Sequence, residues 1–105
     1  MRRNGAPRRT AQPLGVDNGG TESIERAVVL IIDGLTGRLP PEQLLDFREL
    51  AQAGEPGVAL ENLCTQIFEY DVMIEPEVLT RIQDVGQLMK LNPKYWERLN
   101  PKGSA

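Results

Sequence analysis

Residues 54–79, GEPGVALENLCTQIFEYDVMIEPEVL, decide the fold because they contain the same helix-starting device twice. Glu55-Pro56 and Glu75-Pro76 each place a proline where a helix can begin, since the first turn of a helix leaves its N–H groups unbonded in any case. Between them, apolar residues recur at the three- and four-residue spacing of one helix face: Leu60, Leu63, Cys64 and Ile67. The stretch predicts a helix that ends near Tyr70, a turn, and a second helix.

The same device recurs on both sides of this stretch. Pro40-Pro41 predicts an earlier helix that Gly54 closes, and Asn92-Pro93 predicts a short later one that Asn100-Pro101 stops. The expected inner faces of the flanking helices are Leu44, Phe47, Leu50 and Ala51 on one side, and Val78, Leu79, Ile82, Val85 and Met89 on the other. Gly86 interrupts the latter face. It predicts either close approach of another helix or a weakened helix end.

The first helix has a competing interpretation. Thr21 or Ser23 is expected to cap it, and its apolar stripe is Ile24, Ala27, Val28, Ile31 and Leu35, with an end at Gly34 and Gly37. The β-branched run Val28–Ile32 also suits a buried strand. Helix is favoured because no second strand is evident with which it could pair.

These patterns predict an all-α protein, a compact bundle of four to five short helices over residues 21–100, with a flexible C-terminus at 101–105. Residues 1–20 have few apolar side chains and are expected to form a disordered basic tail. The tail contains four arginines and one aspartate. Because the whole chain has a net charge of −3, the remainder carries −6.

The composition argues against an enzyme and against a membrane protein. The chain has no histidine and one cysteine, Cys64, which removes Ser-His and Cys-His pairs and any internal disulfide. Cys64 is expected to be a buried inert thiol, with a reactive thiol as the alternative. The longest apolar run, Ala27–Ile32, is too short to span a bilayer. We therefore predict a cytoplasmic, non-enzymatic protein with no cofactor.

Charge is unevenly distributed along the chain. Between Arg48 and Arg81 there is no basic residue, whereas seven residues are acidic. This predicts an unneutralised acidic surface at the end of the third helix and the start of the fourth, able to steer a basic protein. The predicted partner-binding residues are Glu61, Asn62, Glu69, Asp71, Glu75 and Glu77.

Other interpretations of this acidic segment stay open. It could be a solvated turn with helix-end carboxylates, or it could hold a metal ion. Residues 72–74 are apolar and interrupt the alternating oxygen ligands that a calcium loop requires, so we predict no metal site. Tyr95 and Trp96 are expected to close the core, with a binding cage as the alternative.

Three segments resemble the MafI family of immunity proteins. They are AGEPGVALENLC at residues 53–64, the YDV turn at residues 70–72, and LNPKYW at residues 91–96. The resemblance spans about Leu35 to Leu99. It implies a cytoplasmic antidote that binds the C-terminal domain of a cognate polymorphic toxin, frequently a nuclease with a basic cleft. It supplies no inhibitory residue set, so the acidic candidates above rest on the charge pattern alone.

A rival hypothesis is a small helical regulatory or scaffold module whose basic tail touches nucleic acid. Four arginines without interleaved aromatic residues are a weak nucleic-acid footprint, so the immunity hypothesis is preferred.

Overall fold

The structure is a computed structural model that describes residues 21–101, and proline stands at the first position of three of its helices. The helices of this region are α1 (Thr21–Asp33), α2 (Pro41–Gln52), α3 (Pro56–Glu69), α4 (Pro76–Leu88) and α5 (Lys94–Glu97). The predicted all-α fold class is confirmed. The predicted disordered tail, and residues 102–105 of the predicted flexible C-terminus, lie outside the described residues.

The first helix is helical through its β-branched run, which settles the choice between helix and strand. Ser23 is the third residue of α1 and therefore does not cap it. Leu35 lies beyond the end of the helix, yet it is fully buried because the chain turns back over the core at this point.

Helix α3 lies at the centre of the core and packs against α1, α2, α4 and α5. Its four predicted inner residues, Leu60, Leu63, Cys64 and Ile67, are all buried, as predicted. The remaining buried apolar residues come from the other four helices, from β1, from the connecting segments and from α3 itself: Val28, Ile31, Ile32, Leu35, Leu39, Leu44, Phe47, Ala51, Ala59, Ile74, Ile82, Val85, Trp96 and Leu99. None of the helices described is long and apolar enough to cross a membrane.

Three helices end in the same left-handed turn. The residues with positive φ after α2, α3 and α4 are Gly54 (92°), Asp71 (55°) and Lys90 (59°). In each case the following N–H donates back into the last helical turn: Glu55 to Leu50 O at 2.9 Å, Val72 to Ile67 O at 3.0 Å, Leu91 to Gly86 O at 2.9 Å. These bonds satisfy carbonyl groups that a helix end leaves unpaired. The prediction that Gly54 closes α2 is confirmed.

A short parallel strand pair joins the segment between α3 and α4 to the segment that follows α5. Strand β1 (Met73–Ile74) pairs with β2 (Asn100–Pro101), with Met73 opposite Asn100 and Ile74 opposite Pro101. The sequence does not predict this pair, because two-residue strands leave no periodic signal in it. Asn100-Pro101, predicted to stop the last helix, instead forms β2, and α5 ends earlier, at Glu97.

Gly86 allows close packing, which decides between the two interpretations of this residue. A Cβ atom at position 86 would lie 2.3 Å from Cζ3 of Trp96, so only glycine fits beneath the indole ring. Trp96 is buried and Tyr95 is half-buried, so the aromatic pair closes the core as predicted.

Candidate partner-binding surface

The outer side of α3 carries polar residues between two exposed aromatic rings. Opposite the buried stripe lie five polar residues: Glu61, Asn62, Thr65, Gln66 and Glu69. Phe68 is 43% exposed and Tyr70 is 51% exposed. Residues that are two positions apart in a helix differ by about 200° around its axis. The two rings therefore lie at opposite edges of the polar stripe. We call these seven residues, the five polar ones with Phe68 and Tyr70, the α3 face.

One edge of the α3 face contains a shallow groove. Its lining residues are Thr65, Gln66, Glu69 and Tyr70, and its volume is about 430 Å³. The groove thus combines a carboxylate, an amide, a hydroxyl and an aromatic ring. Such a set suits a cationic or hydrogen-bonding side chain of another protein.

At the other edge, Phe68 is covered in part by an arginine from beyond the helix. The guanidinium carbon of Arg98 lies 4.1 Å from the centroid of the Phe68 ring, a cation–π arrangement. Burial has the largest effect on the pKa of the Cys64 thiol and raises it; the positive charge of Arg98 lowers that pKa, and the negative charge of Glu61 raises it. A positive charge therefore lies at the Phe68 edge of the α3 face.

The other predicted binding residues lie past the end of α3. Asp71 is exposed, and its carboxylate accepts a hydrogen bond from Asn100 Nδ2 at 3.2 Å. Glu75 forms an ion pair with Arg38, whose Nη1 is 2.9 Å from Oε1, and Arg38 also donates to the Met73 carbonyl. Glu77 is exposed in the first turn of α4.

The prediction of an unneutralised acidic surface needs correction. Arg38 and Arg98 lie outside the Arg48–Arg81 segment in sequence, yet the fold brings one to Glu75 and the other to Phe68. A count of charges along the chain cannot detect this, since it ignores which distant residues pack nearby. Of the six predicted residues, Glu61, Asn62 and Glu69 share the α3 face, while the other three lie beyond it.

Several residues of this surface carried no strong sequence signal. Phe68 is adjacent to the buried Ile67, so helical periodicity placed it at a boundary between the core and the solvent. Met73, 46% exposed, lies past the end of α3 in the short strand β1, where helical periodicity gives no signal. Exposed aromatic residues near the carboxylates could have been found by asking which apolar residues the buried stripe of α3 leaves out.

The thiol of α3 lies beneath this surface and not on it. Cys64 is fully buried, and burial raises the pKa of its thiol from 9.0 to about 12, as expected of an inert thiol. Within residues 21–101, no three His, Cys, Asp or Glu side chains are grouped so that they could hold a metal ion.

Comparison with protein-family models, with curated proteins and with solved structures finds no match to this chain.

Proposed function

We propose that this protein is an immunity protein that binds one cognate toxin domain and blocks its substrate cleft. The sequence resemblance to the MafI family motivates the proposal. The structural observation that supports it most strongly is the α3 face, on which carboxylate and amide side chains lie between exposed Phe68 and Tyr70.

This combination of side chains is more typical of a protein-binding surface than of a helix face that contacts only water. Aromatic residues and arginine are enriched at protein interfaces, where a few buried rings carry most of the binding energy. An exposed ring on a helix in water contributes little to folding. The α3 face presents one ring at each edge, with the Arg98 guanidinium held on Phe68.

The charges suit a basic partner. A nuclease cleft is basic because it must bind phosphate. On the outer side of α3, Glu69 is exposed and Glu61 is half-buried, so both carboxylates are available to such a cleft. Charges of this kind act over roughly 8 Å at physiological salt and mainly accelerate encounter. Inhibition then follows from coverage of the cleft and requires no catalytic residue on this chain. The proposed site of action is the cytoplasm of the producing cell.

The direct test is growth rescue by co-expression with the toxin encoded next to this protein. We expect the full chain to restore growth of cells that produce the toxin domain. Continued killing by the toxin, with this chain expressed and folded, would refute the proposal.

A second test measures the electrostatic part of binding. Reversing two exposed carboxylates in Glu69→Lys/Asp71→Lys is expected to slow association with the toxin domain about tenfold at low salt, and to flatten its salt dependence. The matched control is Glu42→Lys/Asp46→Lys, which makes the same charge change at exposed positions on α2. Equal association rates for the two double variants would place the interface away from the α3 face.

A further inference from the structure

A groove separate from the α3 face lies between α1 and α4. It is lined by Ala27, Leu30 and Ile31 from α1 and by Arg81, Asp84 and Val85 from α4, with a volume of about 530 Å³. None of these residues belongs to the α3 face or to the six predicted binding residues. We call it the α1–α4 groove.

Large apolar side chains are exposed along both helices that form this groove. Leu30 is 62% exposed on the α1 wall, and Leu88 is 70% exposed one turn beyond Asp84 on α4. Ala27 is small, so a further helix could approach α1 closely beside it. Exposed apolar surface with a polar rim is typical of a docking surface.

The charged side chains at the rim of the α1–α4 groove indicate which molecule binds there. Arg81 and Asp84 have opposite signs, lie one turn apart on α4, and form no ion pair with the side chains described in residues 23–101. A two-fold axis places the same patch of two copies face to face with opposite polarity. Arg81 of one copy can then meet Asp84 of the other, twice over, whereas an unrelated basic or acidic protein would leave one of the two charges unmatched.

We infer that the α1–α4 groove is the interface of a two-fold homodimer. In it, α1 and α4 of each copy form a four-helix packing around Leu30, with two reciprocal Arg81–Asp84 ion pairs at its rim. This inference does not depend on the proposed function. The groove and the α3 face have no residue in common.

The first experiment measures the mass of the full chain in solution by sedimentation or by light scattering across a concentration series. We expect a concentration-dependent dimer. Leu30→Lys should shift it to monomer, because a charge would be buried in the apolar contact. Leu45→Lys is the matched control, since Leu45 is 53% exposed on α2, outside the groove, and should leave the dimer unchanged.

The second experiment tests whether the contact is with a second copy. Arg81→Asp and Asp84→Arg should each raise the dimer dissociation constant at least about tenfold, because each places like charges opposite one another. The double variant Arg81→Asp/Asp84→Arg exchanges the signs on both copies and should restore dimerisation. Circular dichroism of each variant checks that it is folded.

Each alternative result overturns the inference. A full chain that stays monomeric would assign the groove to residues 1–20 or to a different protein. A dimer that survives Leu30→Lys, or that Leu45→Lys disrupts equally, would place the dimer contact elsewhere. A double charge exchange that does not restore dimerisation would exclude the reciprocal pairing.

Discussion

Position 86 shows how one missing side chain fixes the contact between two elements. The six-membered ring of Trp96 occupies the volume that a methyl group at Gly86 would need, with Cζ3 at 2.3 Å and Cη2 at 2.7 Å from such a Cβ. Helical propensity alone would favour alanine at this position by about 1 kcal/mol. Glycine at this position therefore allows α5 to pack on α4.

We predict that Gly86→Ala lowers the free energy of unfolding by about 2 kcal/mol, because overpacking outweighs the gain in helix propensity. Urea denaturation measures the change. Gly57→Ala is the matched control: its Cβ would lie 3.5 Å from Leu91 Cδ2, an ordinary contact, so it should be neutral or raise stability by about 0.5 kcal/mol. In a Trp96→Leu background the Gly86→Ala penalty should largely disappear. An equal penalty in both backgrounds would contradict the packing explanation.

The buried thiol of Cys64 makes stability depend on alkaline pH. Burial raises the pKa of this thiol to about 12 in the folded chain, from 9.0 when exposed. The folded state therefore retains its proton while the unfolded state loses it. The stabilising contribution is complete below pH 9.0 and is lost as the pH rises from there toward 12.

We predict that the wild-type chain loses about 2 kcal/mol more stability than Cys64→Ala between about pH 8 and pH 10.5. Urea denaturation at a series of pH values measures both curves, and the difference between them removes the common titration of lysine and tyrosine side chains. Parallel curves for the two proteins would show that the thiol does not titrate differently in the folded state.

At the scale of the helix, the same turn ends α2, α3 and α4 with three different residues. Glycine at position 54 adopts positive φ without strain, whereas Asp71 and Lys90 place a Cβ in the left-handed region. Asp71 gains a hydrogen bond from Asn100 in return. The Lys90 side chain, by contrast, is exposed to solvent.

We predict that Lys90→Gly raises the free energy of unfolding by about 0.5–1 kcal/mol, because glycine removes the steric penalty of the left-handed conformation. Lys90→Ala is the control. It removes the same side chain but retains the Cβ, so it should leave stability almost unchanged. Gly54→Ala should lower stability by about 1 kcal/mol for the converse reason. Stabilisation of equal size by Lys90→Ala would mean that the lysine side chain, and not its backbone, is unfavourable.

The starts of α2, α3 and α4 were predictable because local chemistry sets them. Proline at Pro41, Pro56 and Pro76 fixes a backbone angle and lacks an N–H, and both properties act within one turn. The β1–β2 pair was not predictable, because Met73 and Asn100 meet only after α4 and α5 have packed against α3. Local signals specify the elements, and contacts distant in sequence specify how the elements meet.

At the scale of the molecule, residues 21–101 present two separate surfaces that each combine charged groups with exposed apolar side chains. The α3 face combines Glu61 and Glu69 with two aromatic rings, and the α1–α4 groove combines Leu30 with one charge of each sign. The charge pattern of the sequence indicated three residues of the α3 face. It could not indicate Arg38 or Arg98, whose positions beside the acidic segment depend on tertiary structure. It also could not indicate Phe68, whose exposure depends on where the core ends.

If the proposed function is correct, the aromatic edges of the α3 face should carry more binding energy than its carboxylates. Rings buried at an interface contribute through area and packing, whereas rim charges act mainly on the association rate. We predict that Phe68→Ala and Tyr70→Ala each weaken toxin binding by about 2 kcal/mol, chiefly through faster dissociation. Surface plasmon resonance with the toxin domain measures both rates. Leu45→Ala, at a comparably exposed position on α2, should change neither rate. If dissociation from both aromatic variants matches the wild type, while growth rescue persists, immunity would stand but its contact surface would lie outside the α3 face.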